Sequence, residues 1–136
     1  MARVLILSSF VAHGHVGLCA TAPALQQRGH AVSQLPTILL SNHPGWGQVS
    51  GAPVPVAQLH GMLDALDQNG WLGQLDAVLT GYLPSADHVA FAAALVDRVR
   101  DAAPSARVVV DPVLGDDPKG LYVDRAAAEA VRDSLI

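Results

Sequence analysis

Two carboxylates, Asp111 and Asp116, flank a short turn that carries Gly115. Carboxylate oxygens on such a turn suit a hydrated Mg²⁺ ion or the water around a phosphate. The valines at 108–110 come directly before them, and this β-branched run predicts a strand that is buried on both faces. Pro112 has no N–H for a strand ladder, so the strand is predicted to end at Asp111. The alternative interpretation is a strand followed by a solvated acidic turn.

Two other predicted strands also end in groups that could bind a ligand. The apolar run 3–9 ends in a pair of serine hydroxyls, and the run 76–81 ends in a glycine that is followed by Tyr82. In open α/β sheets, ligands bind just outside the carboxyl ends of the strands. The three strand ends together therefore predict a small-molecule site at one edge of a parallel sheet, without naming the molecule.

Strands and helices alternate along the chain in the order that builds such a sheet. Strands are predicted at 3–9, 31–35, 76–81 and 107–111, and helices at 17–28, at 57–69, between the N-cap Ser85 and Pro104, and after the N-cap Asp124. Each strand–helix–strand unit favours a parallel pair with a right-handed crossover. The pattern predicts an α/β fold with a doubly wound, mostly parallel sheet.

The segment 36–55 departs from this alternation. It holds four of the nine prolines and three glycines, with a short strand-like piece at 37–41. This composition predicts an ordered excursion without a helix. A loop of this length inside a compact domain is usually functional, often as a lid.

The composition excludes several classes of protein. The chain has 136 residues, of which 51% are hydrophobic and 15% charged, so it can bury a core and forms one domain or part of one. A net charge of −4 counts against nucleic acid and anionic membranes, and the apolar runs are too short to span a bilayer. A single cysteine, Cys19, fits a reducing cytoplasm, and the scattered histidines lack zinc-ligand spacing.

The loop at 10–17 follows the first strand and carries Gly14 and Gly17. Its spacing matches neither a G-x-G-x-x-G fingerprint nor a Walker sequence, so it is a weak nucleotide motif. A flavodoxin-like or Rossmann-like binding module with an unrelated ligand is one alternative. It would need a glycine-rich phosphate loop that matches the known motifs more closely at this position.

Five pieces of the sequence, in this order and spacing, resemble pyridoxal kinases of the ribokinase-like superfamily. They are Ser9 before the loop with Gly14 and Gly17, Leu40-Ser41-Asn42-His43, Leu79-Thr80-Gly81-Tyr82, the run 111–116, and Lys119-Gly120 before Tyr122-Val123. Each piece alone is a weak signal, whereas their combination is specific. The resemblance covers the amino-terminal half of the family, which implies that 1–136 is half of one ribokinase-like domain and that the fold is incomplete.

The resemblance implies ATP-dependent phosphorylation of pyridoxal, pyridoxine or pyridoxamine at the 5′-hydroxyl, giving pyridoxal 5′-phosphate. In such kinases Ser9 would hydrogen-bond the pyridine ring. The ring pocket would be lined by Val16, Ile38, Leu40 and Tyr82, with His43 nearby. Asp111 and Asp116 would lie on the ATP side and organise Mg²⁺ or a monovalent cation such as K⁺. A cytoplasmic homodimer is also implied.

Three departures from the family pattern matter. Pro44 stands where the family has a threonine that touches the substrate, and Phe10 stands where it often has a histidine. The glycine-rich anion hole and the catalytic aspartate of the family have no counterpart, so the base is expected beyond Ile136 in a longer protein. The alternatives are a non-catalytic remnant that binds a vitamer and a kinase for a hydroxymethylpyrimidine. Lys119 is interpreted by default as a surface lysine, with contact to a phosphate as its alternative.

Overall fold

The computed structural model describes residues 1–136. In chain order the elements are β1 (Arg3–His13), α1 (Leu18–Gln27), β2 (Ala31–Asn42), β3 (Gly51–Pro53), α2 (Val56–Gln68), a 3₁₀ turn (Leu72–Gln74), β4 (Ala77–Thr80), α3 (Ala86–Ala102), β5 (Arg107–Val110), β6 (Gly115–Asp116), β7 (Gly120–Leu121) and α4 (Arg125–Ser134). The main sheet has the order β3-β2-β1-β4-β5, and only β3 is antiparallel to its neighbour. The predicted α/β fold with a mostly parallel sheet is confirmed.

The first strand lies at the centre of the sheet because β2 and β4 pair with its two sides. Leu5, Ile6 and Leu7 are each at most 1% exposed. Leu5 and Leu7 join the larger core beneath α2 and α3, whereas Ile6 packs with Leu18 and Ala22 of α1 on the other face. The alternation of side chains along a strand thus places helices on both faces of the sheet.

The prediction that strand β5 is buried on both faces is wrong. Val108 packs against the larger core, but Val109 points to the opposite face and is 51% exposed. On that face α1 packs on β1 and β2, and no helix of the chain lies over β5. Strand β5 also pairs with β4 alone, so its outer edge carries no partner strand.

Strands β1 and β2 are longer than predicted and pair in parallel out to His13 and Asn42. Pro36 does not end β2, because it falls where the register between the two strands shifts and before β3 joins the sheet. The predicted excursion at 36–55 is therefore strand at both ends. The longest part outside regular structure is residues 43–50, which we call the flap.

A buried histidine anchors the base of the flap. The Ser85 side chain accepts the backbone N–H of His88 at 3.3 Å, which confirms the predicted N-cap of α3. The His88 ring contacts Ser85 Oγ through Nδ1 at 2.7 Å and the Val54 carbonyl through Nε2 at 2.8 Å.

Asp124 precedes α4 as predicted but makes no side-chain capping bond. None of the four helices combines the length and apolar character that a membrane crossing requires.

Candidate functional site

A cavity of about 610 Å³ lies at the carboxyl ends of the parallel strands, where the start of α1 meets the sheet. Its volume is in the range of small-molecule sites, and half of its 20 lining residues are hydrophobic. The sheet edge that the three strand ends predicted is thus concave and partly apolar. Of the predicted site residues, these line the cavity: Ser9, Val16, Ile38, Leu40, His43, Tyr82 and Asp111.

The two neighbouring serines within β1 have different roles. Ser8 is 5% exposed, and its Oγ accepts the backbone N–H of Tyr82 at 3.2 Å. Ser9 lines the cavity, and its hydroxyl makes no hydrogen bond within the protein. Gly17 at the start of α1 packs so closely on Ser9 that a Cβ there would overlap with the Ser9 carbonyl oxygen and Oγ. The Ser9 hydroxyl is therefore held in place and free to bond a ligand.

The backbone of Tyr82 is fixed by side chains from two strands. Its N–H donates to Ser8 Oγ of β1, and its carbonyl accepts the Thr37 hydroxyl of β2 at 2.7 Å. Thr37 is fully buried and Ser8 is nearly so, which limits the access of water to both bonds. Burial first, and the nearby Asp124 carboxylate second, raise the pKa of the Tyr82 hydroxyl. Tyr82 consequently presents a ring with a protonated hydroxyl at neutral pH.

The raised pKa of Tyr82 predicts a loss of stability at alkaline pH. Unfolding returns the hydroxyl to its ordinary pKa of about 10, so above that pH the unfolded chain binds fewer protons than the folded chain. We expect the free energy of unfolding to fall as the pH rises past about 10, and to fall less steeply in Tyr82→Phe. Urea unfolding across this pH range measures both slopes. Equal slopes in the two proteins would contradict the prediction.

Side chains at the end of β2 hold the flap in a defined shape. The Asn42 amide donates to the Gln48 carbonyl at 2.9 Å, and Ser41 Oγ accepts the Ser50 N–H at 2.9 Å. Within the flap, Nδ1 of His43 accepts the Gly45 N–H at 2.9 Å. His43 therefore both satisfies the flap backbone and lines the cavity.

The flap contributes part of the cavity wall, but its tryptophan does not. Pro44 and Val49 line the cavity with His43, whereas Trp46 is 70% exposed and lies outside the wall. Pro44 thus occupies the wall at the place where the family pattern has a threonine, and it offers no hydroxyl and no N–H to a ligand.

The two predicted acidic residues do not meet at the cavity. Asp111 lies on its wall, and its N–H continues the ladder to the Thr80 carbonyl at 2.9 Å. Asp116 lies in the β6–β7 hairpin, outside the wall, where hydrogen bonding of the Tyr122 hydroxyl to its carboxylate raises the pKa of Tyr122.

The cavity wall offers few protein ligands for a metal ion. No group of three or more His, Cys, Asp or Glu side chains comes together in the chain. A protein cage for a bare ion is thus not present. Mg²⁺ at phosphates keeps several waters and commonly takes one or two carboxylates, so Asp111 alone at the wall is compatible with a hydrated ion.

Polar side chains beyond the predicted site residues also line the cavity. Thr21 lies one helical turn after Gly17, and this spacing of four residues could have revealed it. Tyr122 matched the family pattern but was given no function. Lys119 is exposed, as a surface lysine would be, yet it also lines the cavity.

Comparison with known proteins places this geometry in context. No protein-family model matches the chain. A pyridoxine/pyridoxal/pyridoxamine kinase of Bordetella avium is 41% identical over 133 residues, which are 98% of this chain and 45% of that protein. A pyridoxal kinase of Corynebacterium diphtheriae is 35% identical over 134 residues, which are 98% of this chain and 47% of that protein. The chain therefore spans about half the length of these curated relatives.

Solved structures agree with the sequence comparison. The pyridoxal kinase of Leishmania donovani in complex with ADP and ginkgotoxin has a TM-score of 0.93 and 34% identity, covering 99% of this chain and 47% of that one. The pyridoxal kinase of Entamoeba histolytica has a TM-score of 0.92 and 27% identity, covering 98% of this chain and 47% of that one. The likeness extends over nearly all of this chain and about half of each neighbour.

Proposed function

We propose that this chain, which belongs to the pyridoxal kinase family and matches its amino-terminal half, forms the vitamer-binding side of an enzyme that phosphorylates B6 vitamers with ATP. Its fold is ribokinase-like. The observation that carries the proposal is the free Ser9 hydroxyl, which faces a partly apolar cavity at the carboxyl edge of the sheet. A planar heterocycle with polar ring atoms is the kind of ligand that such a cavity suits.

In this proposal the chain binds and orients the vitamer ring. Val16, Ile38 and Leu40 supply apolar contact, and Tyr82 adds an aromatic surface. The Ser9 hydroxyl donates to the ring nitrogen or accepts from the phenolic oxygen, because a hydroxyl can do either. His43 covers the ring from the flap. The ring's 5′-hydroxymethyl group would then be held in a fixed position for reaction.

The nucleotide is proposed to approach from the side of Asp111. The proposed cofactors are ATP and Mg²⁺, together with a monovalent cation such as K⁺. Such ions neutralise charge on the transferring phosphoryl group. Asp111 would hold the ion through its water shell, and Asp116 would join only if the hairpin moved. The base for the 5′-hydroxyl is proposed to come from the half of the family sequence that this chain does not match.

Two measurements test the proposed function. Calorimetry of pyridoxine with a sample of verified intact mass should show binding at one site. Pyridoxal 5′-phosphate formation from pyridoxal and Mg-ATP should require a second polypeptide that carries the carboxy-terminal half of the Bordetella avium kinase. Failure of pyridoxine to bind would overturn the proposal. Turnover by the chain alone would contradict the assignment of the base to the other half.

The same experiments separate the alternatives. Vitamer binding without turnover, even with the added half, would indicate a non-catalytic remnant. Preferential binding and phosphorylation of a hydroxymethylpyrimidine would indicate the related kinase. Pro44 lines the cavity without a hydroxyl, so a shift in substrate preference is a specific outcome to examine.

Replacing Ser9 with alanine should weaken vitamer binding and leave the fold intact. One hydrogen bond to the ligand is worth about 1 kcal/mol, so we expect affinity for pyridoxine to fall by a factor of about 3–10. The melting temperature should stay nearly constant because the Ser9 hydroxyl has no protein partner. Ser8→Ala is the matched control, since it removes the buried partner of the Tyr82 N–H and should lower the melting temperature. Unchanged affinity in Ser9→Ala would remove this hydroxyl from the site.

The assembly and location of the protein are also proposed. A cytoplasmic setting is supported by the single cysteine, because reducing compartments do not favour disulfides. A homodimer is supported by Phe10 and Leu39, which are paired in register on β1 and β2 and are 39% and 48% exposed. Two such neighbouring apolar side chains offer a surface for a second copy. Sedimentation of the chain alone measures this state directly.

A further inference from the structure

Lys119 is the only lysine in the chain, since the other seven basic residues are arginines. It lies on the wall of the cavity, between the paired strands β6 and β7. No carboxylate lies within ion-pair distance of its ammonium group. All ion pairs of the chain are made by the arginines Arg98, Arg100 and Arg132. The cavity thus contains one primary amine that no protein group neutralises.

The hairpin gives this amine a defined position. Gly115 pairs with Leu121, and Asp116 pairs with Gly120, directly beside Lys119. The Tyr122 N–H donates to the Leu114 carbonyl at 2.7 Å and closes the hairpin at its base. Lys119 therefore projects from an anchored turn rather than from a long unpaired loop.

We propose that Nζ of Lys119 forms a reversible Schiff base with the aldehyde of pyridoxal in the cavity. The proposal rests on the proposed function, because it takes pyridoxal as the ligand. The unprotonated amine attacks the aldehyde carbon, and the carbonyl oxygen leaves as water with the two protons of the amine. A C=N bond replaces the C=O bond, and nothing is oxidised or reduced.

This bond would have a consequence for phosphorylation. The aldehyde and the 5′-hydroxymethyl group of pyridoxal are on adjacent ring carbons and can close into an internal hemiacetal, which occupies the hydroxyl. A Schiff base at the aldehyde carbon prevents this closure and leaves the 5′-hydroxyl free. Pyridoxine and pyridoxamine lack the aldehyde, so Lys119 would distinguish pyridoxal from them.

Borohydride trapping tests the Schiff base. The chain has two amines, Lys119 and the α-amine of Met1, which precedes β1 at the opposite edge of the sheet. After incubation with pyridoxal and reduction, peptide mass spectrometry should find Lys119 labelled at least about tenfold faster than the α-amine. Excess pyridoxine should suppress labelling at Lys119 and not at Met1. Equal rates at the two amines, or no protection by pyridoxine, would overturn the proposal.

A relocated lysine is the matched control. The double variant Lys119→Arg with Arg28→Lys keeps the charge and the number of lysines, and Arg28 is exposed and lies at the end of α1 far from Gly17. The lysine introduced at position 28 should react at the slow rate of the α-amine. Labelling there as fast as at Lys119 of the original chain would show that any exposed lysine reacts, and would overturn the proposal.

Calorimetry separates this proposal from the one it rests on. Lys119→Arg should lower the ratio of pyridoxal affinity to pyridoxine affinity about tenfold, because arginine forms no Schiff base with the aldehyde under these conditions. An unchanged ratio in a variant that still binds pyridoxine would overturn the Schiff base alone. Absence of pyridoxine binding to the original chain would instead overturn the proposed function.

Discussion

Replacing Gly17 with alanine is expected to cause the largest loss of stability and of vitamer binding among single substitutions at the site. Gly17 has φ +55°, a backbone conformation that costs a residue with a Cβ about 1–3 kcal/mol. The added Cβ would also overlap with the carbonyl oxygen and Oγ of Ser9, and relief of such overlap costs about another 1–3 kcal/mol. We expect the free energy of unfolding to fall by about 2–6 kcal/mol.

The functional loss in Gly17→Ala has the same cause. The start of α1 must move away from β1 to relieve the overlap, and Ser9, Val16 and Thr21 line the cavity on both sides of this contact. Pyridoxine binding should therefore become undetectable in the folded fraction. Urea unfolding and calorimetry measure the two effects.

Gly61→Ala is the control for this substitution. Gly61 lies inside α2, has no positive φ, and leaves open space around an added Cβ. Alanine there should raise the free energy of unfolding by about 0.5–1 kcal/mol, since glycine weakens helix interiors. A Gly17→Ala protein as stable as the original chain would contradict the described start of α1.

Replacing Gly51 with alanine is expected to release the flap. Gly51 has φ +143° and pairs with Leu40, and a Cβ there would overlap with the Leu39 carbonyl oxygen. Because β3 has only three residues and lies at the sheet edge, this overlap should break its pairing with β2. The flap would then be joined to the paired part of the sheet through β2 alone.

The expected result of Gly51→Ala is a large loss of binding with a smaller loss of stability. The free energy of unfolding should fall by about 1–3 kcal/mol, because the central sheet does not depend on β3. Affinity for pyridoxine should fall about tenfold or more, since His43, Pro44 and Val49 leave the cavity wall and must be ordered again on binding.

A substitution within the flap provides the comparison. Gly47 has no positive φ and no atom within 4 Å of an added Cβ, so Gly47→Ala should leave both affinity and stability nearly unchanged. Equal affinities in Gly51→Ala and Gly47→Ala would show that the flap does not contribute to binding.

Local patterns were sufficient for much of the architecture. The apolar runs and their spacing predicted the four parallel strands and the four helices, because burial of one helix stripe leaves a helical period and burial of a strand on both faces leaves a continuous apolar run. The order of these elements required a parallel sheet. Ser9, Tyr82 and Asp111 line one cavity, since groups at the ends of parallel strands meet at one sheet edge. Val16, Ile38, Leu40 and His43, which the family resemblance implied, line the same cavity.

The tertiary structure decided what depends on neighbours distant in sequence. The length of β1 and β2 came from their pairing, which local signals such as Pro36 do not report. The exposure of Val109 depends on which strands α1 covers, and a run of valines carries no information on that. The hairpin turned Asp116 toward Tyr122 and brought Lys119 to the cavity. Sequence alone determined the elements and the edge of the sheet that binds, whereas packing determined which side chains reach it.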